Sequence, residues 1–122
     1  MRVECVKNIS PTTGEEIGSG YWLTIGKTYV VLAVLAYLGG KIELRLIPND
    51  GRTPALFDSR QFKAVCSKVP SNCRAIVDEQ GNFRLTPEAW TRPGFWEDYF
   101  NLVPEAVEEF EREKAKILAE VG

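Results

Sequence analysis

The sequence has no histidine in 122 residues. This removes Ser-His and Cys-His nucleophile pairs and every imidazole metal site, since each needs a ring nitrogen that titrates or coordinates near neutral pH. Cysteine is also scarce. Cys5, Cys66 and Cys73 stand 61 and 7 residues apart, an odd count at spacings that suit neither a zinc knuckle nor a redox pair, so they are expected to remain thiols. No long apolar run is present: the longest, residues 29–38, has ten members, about half of what a membrane helix requires. Residues 1–10 carry Arg2, Glu4 and Lys7 and lack the apolar stretch of a secretory signal. The expectation is a reduced, soluble, cytoplasmic protein with no cofactor, no metal and no membrane partner.

What is present suffices for one folded unit. The chain is 44% hydrophobic and 26% charged with a net charge of -2, enough apolar material for a core and too little charge for disorder. One domain spanning 1–122 is expected, with a β-rich part over 1–85 and a helical part over 86–122. Charge divides along the same line. Residues 1–85 hold 11 Lys/Arg against 8 Asp/Glu, and residues 86–122 hold 4 against 9. Such asymmetry bears on partners and association rates, not on fold.

Residues 2–9 alternate weakly, and 10–20 are rich in Pro, Gly, Ser and Thr, which predicts a short strand and then an exposed loop. The β-branched run Tyr29-Val30-Val31-Leu32-Ala33-Val34-Leu35-Ala36-Tyr37 predicts a central strand buried on both faces or bent by the fold. Gly39-Gly40 predicts a two-residue hairpin turn into a strand where Ile42, Leu44 and Leu46 face the core and Lys41, Glu43 and Arg45 face water. Asn49-Asp50-Gly51 and Asp58-Ser59-Arg60 are turn signals around a strand at 54–57, and further strands are expected at 62–65, 74–77 and 82–85.

At Thr86 the pattern becomes helical, with Thr86 as N-cap, Pro87 in the first turn and Glu88 favouring the helix dipole. Arg92-Pro93-Gly94 ends that helix; a second is expected from Phe95 to about Asn101 and a third from Pro104 to about Val121. In the last, Val103, Val107, Phe110, Ile117 and Val121 form an inward stripe with Lys114 in the same row, and Glu108 pairs with Arg112. The fold class is α+β: an antiparallel β-meander or SH3-like barrel followed by C-terminal helices. Barrel closure is the first expectation, because it removes sheet edges in a small chain, and an open meander with helices across one face is the second.

One segment carries a binding signal. Residues 90–100 hold five aromatics, with Phe95 and Tyr99 on one helix face and Trp96 and Phe100 on another. Packing against sheet and last helix would cover both faces. The sharper reading leaves Trp96 or Tyr99 exposed as an anchor, rimmed by Glu97, Asp98, Glu105, Glu108 and Glu109, a surface suited to a basic protein partner. These seven residues are the candidate partner site.

Other chemistries fit less well. The acids cluster on helices, not at converging strand ends, which disfavours paired-acid or divalent-metal catalysis, and Gly39-Gly40 precedes no helix that could bind phosphate. Nucleic acid is the main alternative, through Lys27, Lys41, Arg45, Arg52, Arg60, Lys63, Lys68, Arg74 and Arg84. Those cations are dilute, the pI is about 5.3, and the aromatics sit among acids. Cys73 beside Arg74 could be a reactive thiol, though a small buried apolar role suits it better.

Taken in order, Gly26-Lys27-Thr28-Tyr29-Val30-Val31-Leu32, Pro54-Ala55-Leu56-Phe57-Asp58 with Phe62, Pro70-Ser71-Asn72, Leu85-Thr86-Pro87-Glu88-Ala89-Trp90 and Gly94-Phe95-Trp96-Glu97 resemble small bacterial immunity-type proteins of contact-dependent and other polymorphic toxin systems. The resemblance spans about residues 23 to 110. It implies a non-enzymatic inhibitor that binds a cognate toxin, with a basic nuclease-type effector suggested by the acidic C-terminal part, on a SH3-like or similar β-meander with C-terminal helices. The runner-up is a small nucleic-acid-binding SH3-like barrel protein. The candidate site residues come from charge and aromatic pattern, not from the resemblance.

Overall fold

The computed structural model of the chain describes residues 1–18, 20 and 22–121; Ser19, within the expected loop 10–20, lies outside them. Among the described residues nine strands precede two helices: β1 (Arg2–Cys5), β2 (Asn8–Ile9), β3 (Glu16–Ile17), β4 (Thr28–Ala36), β5 (Ile42–Leu46), β6 (Ala55–Asp58), β7 (Phe62–Cys66), β8 (Cys73–Val77), β9 (Phe83–Pro87), α1 (Phe95–Phe100) and α2 (Pro104–Val121). Short 3-10 turns occupy Ser59–Gln61 and Glu88–Trp90. The class is α+β, an antiparallel meander followed by C-terminal helices.

The apolar run expected as a central strand is β4, and it organises the sheet. One edge pairs with β5 from Val31 to Ala36. The other edge forks, pairing with β1 at Thr28, Tyr29 and Val30 and with β9 at Val34, Leu35 and Ala36. The path β6-β5-β4-β1-β7 is extended by β9 and β8 on the fork. Phe57 of β6 and Phe62 of β7 pack against the same cluster, so the ladder curls upon itself. These two terminal strands do not pair with each other, so among the described residues the curl stays open and the expected barrel closure is not made.

Two cores lie on opposite faces of β4. Tyr29 and Val31 point into the sheet's interior with Val3, Cys5, Leu23, Leu44 and Leu46. Val30 and Leu32 point outward against Trp90, Phe95, Ala106, Phe110, Ile117 and Val121 of the helical part. A bulge at Leu32, between the pairs Val31↔Leu46 and Ala33↔Arg45, shifts the alternation by one, so that Val34 returns to the inner core. Burying Phe110 and Ile117 completely contributes about 1.5–3 kcal/mol for each side chain.

Several local expectations change on contact with tertiary structure. The β4–β5 turn is a three-residue loop, with Gly40 N–H donating to Tyr37 C=O and Tyr37 N–H to Lys41 C=O; Gly40, at φ 98°, supplies the positive angle. Thr86 and Pro87 do not start a helix. They complete β9, paired with Arg74 and Cys73, because the ladder prolongs the strand past local capping signals, and only a 3-10 turn follows. The second and third helices run as expected, ending at Phe100 and Val121. On α2 the inward row is Ala106, Phe110, Glu113, Ile117 and Val121. Val107 is half-buried, and Glu113 takes the inward place expected of Lys114.

Glu113 tolerates burial because it has partners. Lys116 donates to its carboxylate at 2.9 Å and Asn72 at 3.3 Å. Two helical turns on, Glu120 accepts from both the backbone N–H and the hydroxyl of Ser71, at 2.8 and 2.9 Å. The Pro70-Ser71-Asn72 segment is thus a clasp holding the β7–β8 loop to α2.

At the other end of the sheet, Gln61 is buried and its side chain accepts from Ile9 N–H at 2.9 Å, while its carbonyl accepts from Val6 N–H at 2.8 Å. This fastens the β2–β3 arm to the 3-10 turn. Gly20 lies so close to the buried Asn8 side chain that a Cβ there would overlap it.

The Ser71 bonds lower the Glu120 carboxyl below its ordinary value of 4.5. A depressed folded pKa means that this contribution is present above the unfolded value and is lost as pH falls through the folded one. Glu120→Gln is therefore expected to be less stable than the parent at pH 7, with the gap closing as pH falls below about 4. Urea midpoints at pH 7, 5 and 3 measure it.

Candidate functional site

The aromatic segment folds mostly inward. Gly94 opens α1 at φ 78°, and the six residues that follow place Phe95 in the outer core at 1% exposure. Trp96 packs edge-on against Phe95 and Trp90, at centroid distances of 5.0 and 5.7 Å, and Tyr99 lies 4.7 Å from Phe110. Both Trp96 and Tyr99, expected as exposed anchors, are half-buried. Burial is also the first cause that raises the Tyr99 phenol, with Glu111 and Asp50 nearby adding to it.

One face of the Trp96 ring is covered by Arg45. Alternation places Arg45 on the outer face of β5, as expected, but that face is dry at this point: Arg45 is 8% exposed. Its guanidinium carbon lies 3.7 Å from the centre of the Trp96 ring, and Nη1 donates to Pro54 C=O at 2.7 Å. Burial pushes the Arg45 pKa down to about 10, with Tyr37 and Glu43 opposing that fall. It remains a cation at neutral pH. No carboxylate forms an ion pair with it among the described residues, so the indole face and one carbonyl offset its desolvation. Next to it, Tyr37 donates to Glu43 at 2.7 Å, and burial together with that carboxylate drives the phenol up to about 12.

The acids divide into two groups. Arg92 ties α1 to α2 by bridging Asp98 at 3.0 Å and Glu109 at 3.7 Å, so these two carboxylates act within the fold. Glu97, Glu105 and Glu108 are exposed and form no ion pair among the described residues. The expected Glu108–Arg112 pair is not among the ion pairs; Lys114 instead pairs with Glu111 at 2.9 Å.

What the sequence reading missed is the corner between the helices. Phe100 is 53% exposed and Leu102 76%. Leu102 has φ 62°, and no other described non-glycine residue has a positive φ. Its N–H donates to Tyr99 C=O at 3.0 Å and that of Val103 to Asp98 C=O at 2.9 Å. This is a Schellman motif with leucine where glycine is favoured. A leucine held left-handed costs about 1–2 kcal/mol, and here nothing in the core repays it, since the side chain faces water. Glu97 lies three residues before Phe100 on α1, while Glu105 and Glu108 share one side of α2's first turns. An apolar tip is thereby bordered by unpaired carboxylates.

Of the cations on which the nucleic-acid alternative rests, Lys41, Arg60, Lys63, Arg74 and Arg84 each pair with a carboxylate at 2.8 to 3.9 Å, and Arg45 is buried. Lys27, Arg52 and Lys68 are left from the nine without an ion pair among the described residues. Burial raises the Cys73 thiol, whereas Cys66 is lowered, first by Lys68 N–H. No group of three or more Cys, Asp or Glu side chains able to hold a metal ion occurs among the described residues, and no helix among them is long and apolar enough to cross a membrane. Comparison with known proteins finds no matching family model, curated protein or solved structure.

Trp96 and Glu97 are adjacent in sequence and opposite in role. Trp96→Ala is expected to cost about 3–5 kcal/mol by leaving a cavity and an unstacked Arg45, and Glu97→Ala to stay within about 0.5 kcal/mol. Chemical denaturation of the two variants measures the contrast.

Proposed function

We propose that this chain is an immunity-type protein that occupies a cognate bacterial toxin, a basic nuclease-type effector, and neutralises it without chemistry of its own. The observation that carries the reading is the strained leucine at the helical corner. Leu102 projects into solvent at a left-handed position that favours glycine, with Phe100 exposed beside it, and exposed apolar side chains of this kind anchor protein interfaces. Glu97, Glu105 and Glu108 give the tip a negative border that suits a cationic partner, for which complementary fields raise the association rate more than the affinity. The sequence resemblance to immunity-type proteins supports the same partner class.

This reading gives Leu102→Gly opposite effects on folding and binding. Relief of the left-handed strain, set against glycine's extra chain entropy, leaves the variant as stable as the parent or up to about 1 kcal/mol more stable. Binding to the toxin, encoded beside it or captured from the native cell, should weaken at least about tenfold. Unchanged affinity in a folded variant removes the corner from the interface. Replacing Glu97, Glu105 and Glu108 together by Gln should slow association and flatten its salt dependence while changing dissociation little; stopped-flow mixing at several ionic strengths reads this directly.

A further inference from the structure

A groove of about 980 Å³ lies on the far side of the sheet's interior, between the β2–β3 arm and the β5–β6 hairpin, within the size range of sites that enclose a ligand. All four residues of β6, Ala55, Leu56, Phe57 and Asp58, line it. In a strand, successive side chains point to opposite faces, so a wall made of consecutive residues is the strand's edge and not one of its faces. Among the described residues β6 pairs with β5 alone, and alternate N–H and C=O groups on its other edge therefore have no partner in the sheet.

Among the described residues the sheet has three such edges, and they are treated differently. β7 carries Lys63 and β8 carries Arg74, both with exposed side chains, the usual guard against unwanted strand pairing. β6 begins Ala-Leu-Phe and carries no cation. Across the groove stand Ile17 and Trp22, 39% and 50% exposed, with Ile42 at the end. Four ionisable side chains reach its walls, and they cancel in pairs: Lys41 with Glu43 at 3.6 Å and Arg60 with Asp58 at 2.8 Å. A neutral apolar channel along an open strand edge complements an uncharged extended segment and rejects a charged one.

We infer that β6 accepts an extended, uncharged, β-prone segment of a protein partner as an added strand, with the partner's side chains against Ile17, Trp22 and Ile42. This surface is separate from the helical corner and does not depend on the toxin reading, so it can succeed or fail alone.

The test is an NMR titration of the whole protein with a capped heptapeptide of alternating threonine and valine, alongside the same peptide N-methylated at every second amide. The expected result is saturable shifts at the Ala55–Asp58 amides, hydrogen exchange there slowed at least about tenfold at saturation, and binding by the N-methylated peptide at least about tenfold weaker. Leu56→Lys, which adds the guard found on the other edges, should weaken the plain peptide likewise; if it fails to fold, the N-methylated control alone decides. Equal binding of the two peptides, shifts confined to β7 or β8, or no shifts at millimolar peptide would overturn the proposal. So would concentration-dependent dimerisation, seen by sedimentation, that protects the β6 amides without peptide, since the occupant would then be a second copy.

Discussion

Everything in this molecule depends on β4 having two dry faces. A nine-residue strand that buries Tyr29 and Val31 on one side and Val30 and Leu32 on the other serves as the common wall of both cores. The bulge at Leu32 allows one strand to do this. It bends β4 where its far edge passes from β1 to β9, and it resets the alternation so that Val34 rejoins the inner core. Without that shared wall the helices would have no sheet to rest on and the curled sheet would expose its back.

The outer face carries the cost. Covering it with α1 also covers Arg45, a cation that cannot lose its charge at neutral pH, and the fold accommodates it with the face of Trp96 and the carbonyl of Pro54. Trp96 is thereby committed to the fold, as Tyr99 is through Phe110, and Arg92 commits Asp98 and Glu109 in the same way. Of the aromatic and acidic residues concentrated after position 86, Phe100, Glu97, Glu105 and Glu108 are exposed and free of ion pairs among the described residues, and Leu102 stands beside them. The proposed interface is what the packing of this segment leaves over.

Elements whose cause is local were legible in the sequence. The burial of Leu44 and Leu46, the turns at Asn49-Asp50-Gly51 and Asp58-Ser59-Arg60 and the start of α2 at Pro104 all follow from neighbouring residues, whereas Ile42, expected to face the core with them, stays 41% exposed. Where the cause lies elsewhere in the chain, the reading failed. Arg45 is dry because of a helix that begins fifty residues later. Thr86 and Pro87 carry good helix-start chemistry, but pairing with Arg74 and Cys73 holds them in β9. Glu113 turns inward where Asn72, from the loop before β8, meets it, a partner no helical wheel contains. The candidate site was half legible for the same reason. Charge and aromaticity marked the right segment, but its exposed members depend on packing, and Leu102 carries no mark at all, since glycine is the residue the motif favours.

Native-state hydrogen exchange measures most directly whether β4 joins sheet and helices into one unit. The account predicts that the amides of β4 and those of α2 around Phe110 and Ile117 exchange only by global unfolding, with the same free energy and the same dependence on denaturant. If α1 and α2 open at a clearly lower free energy while β4 stays protected, the two cores are independent and the shared wall is not what holds the molecule together.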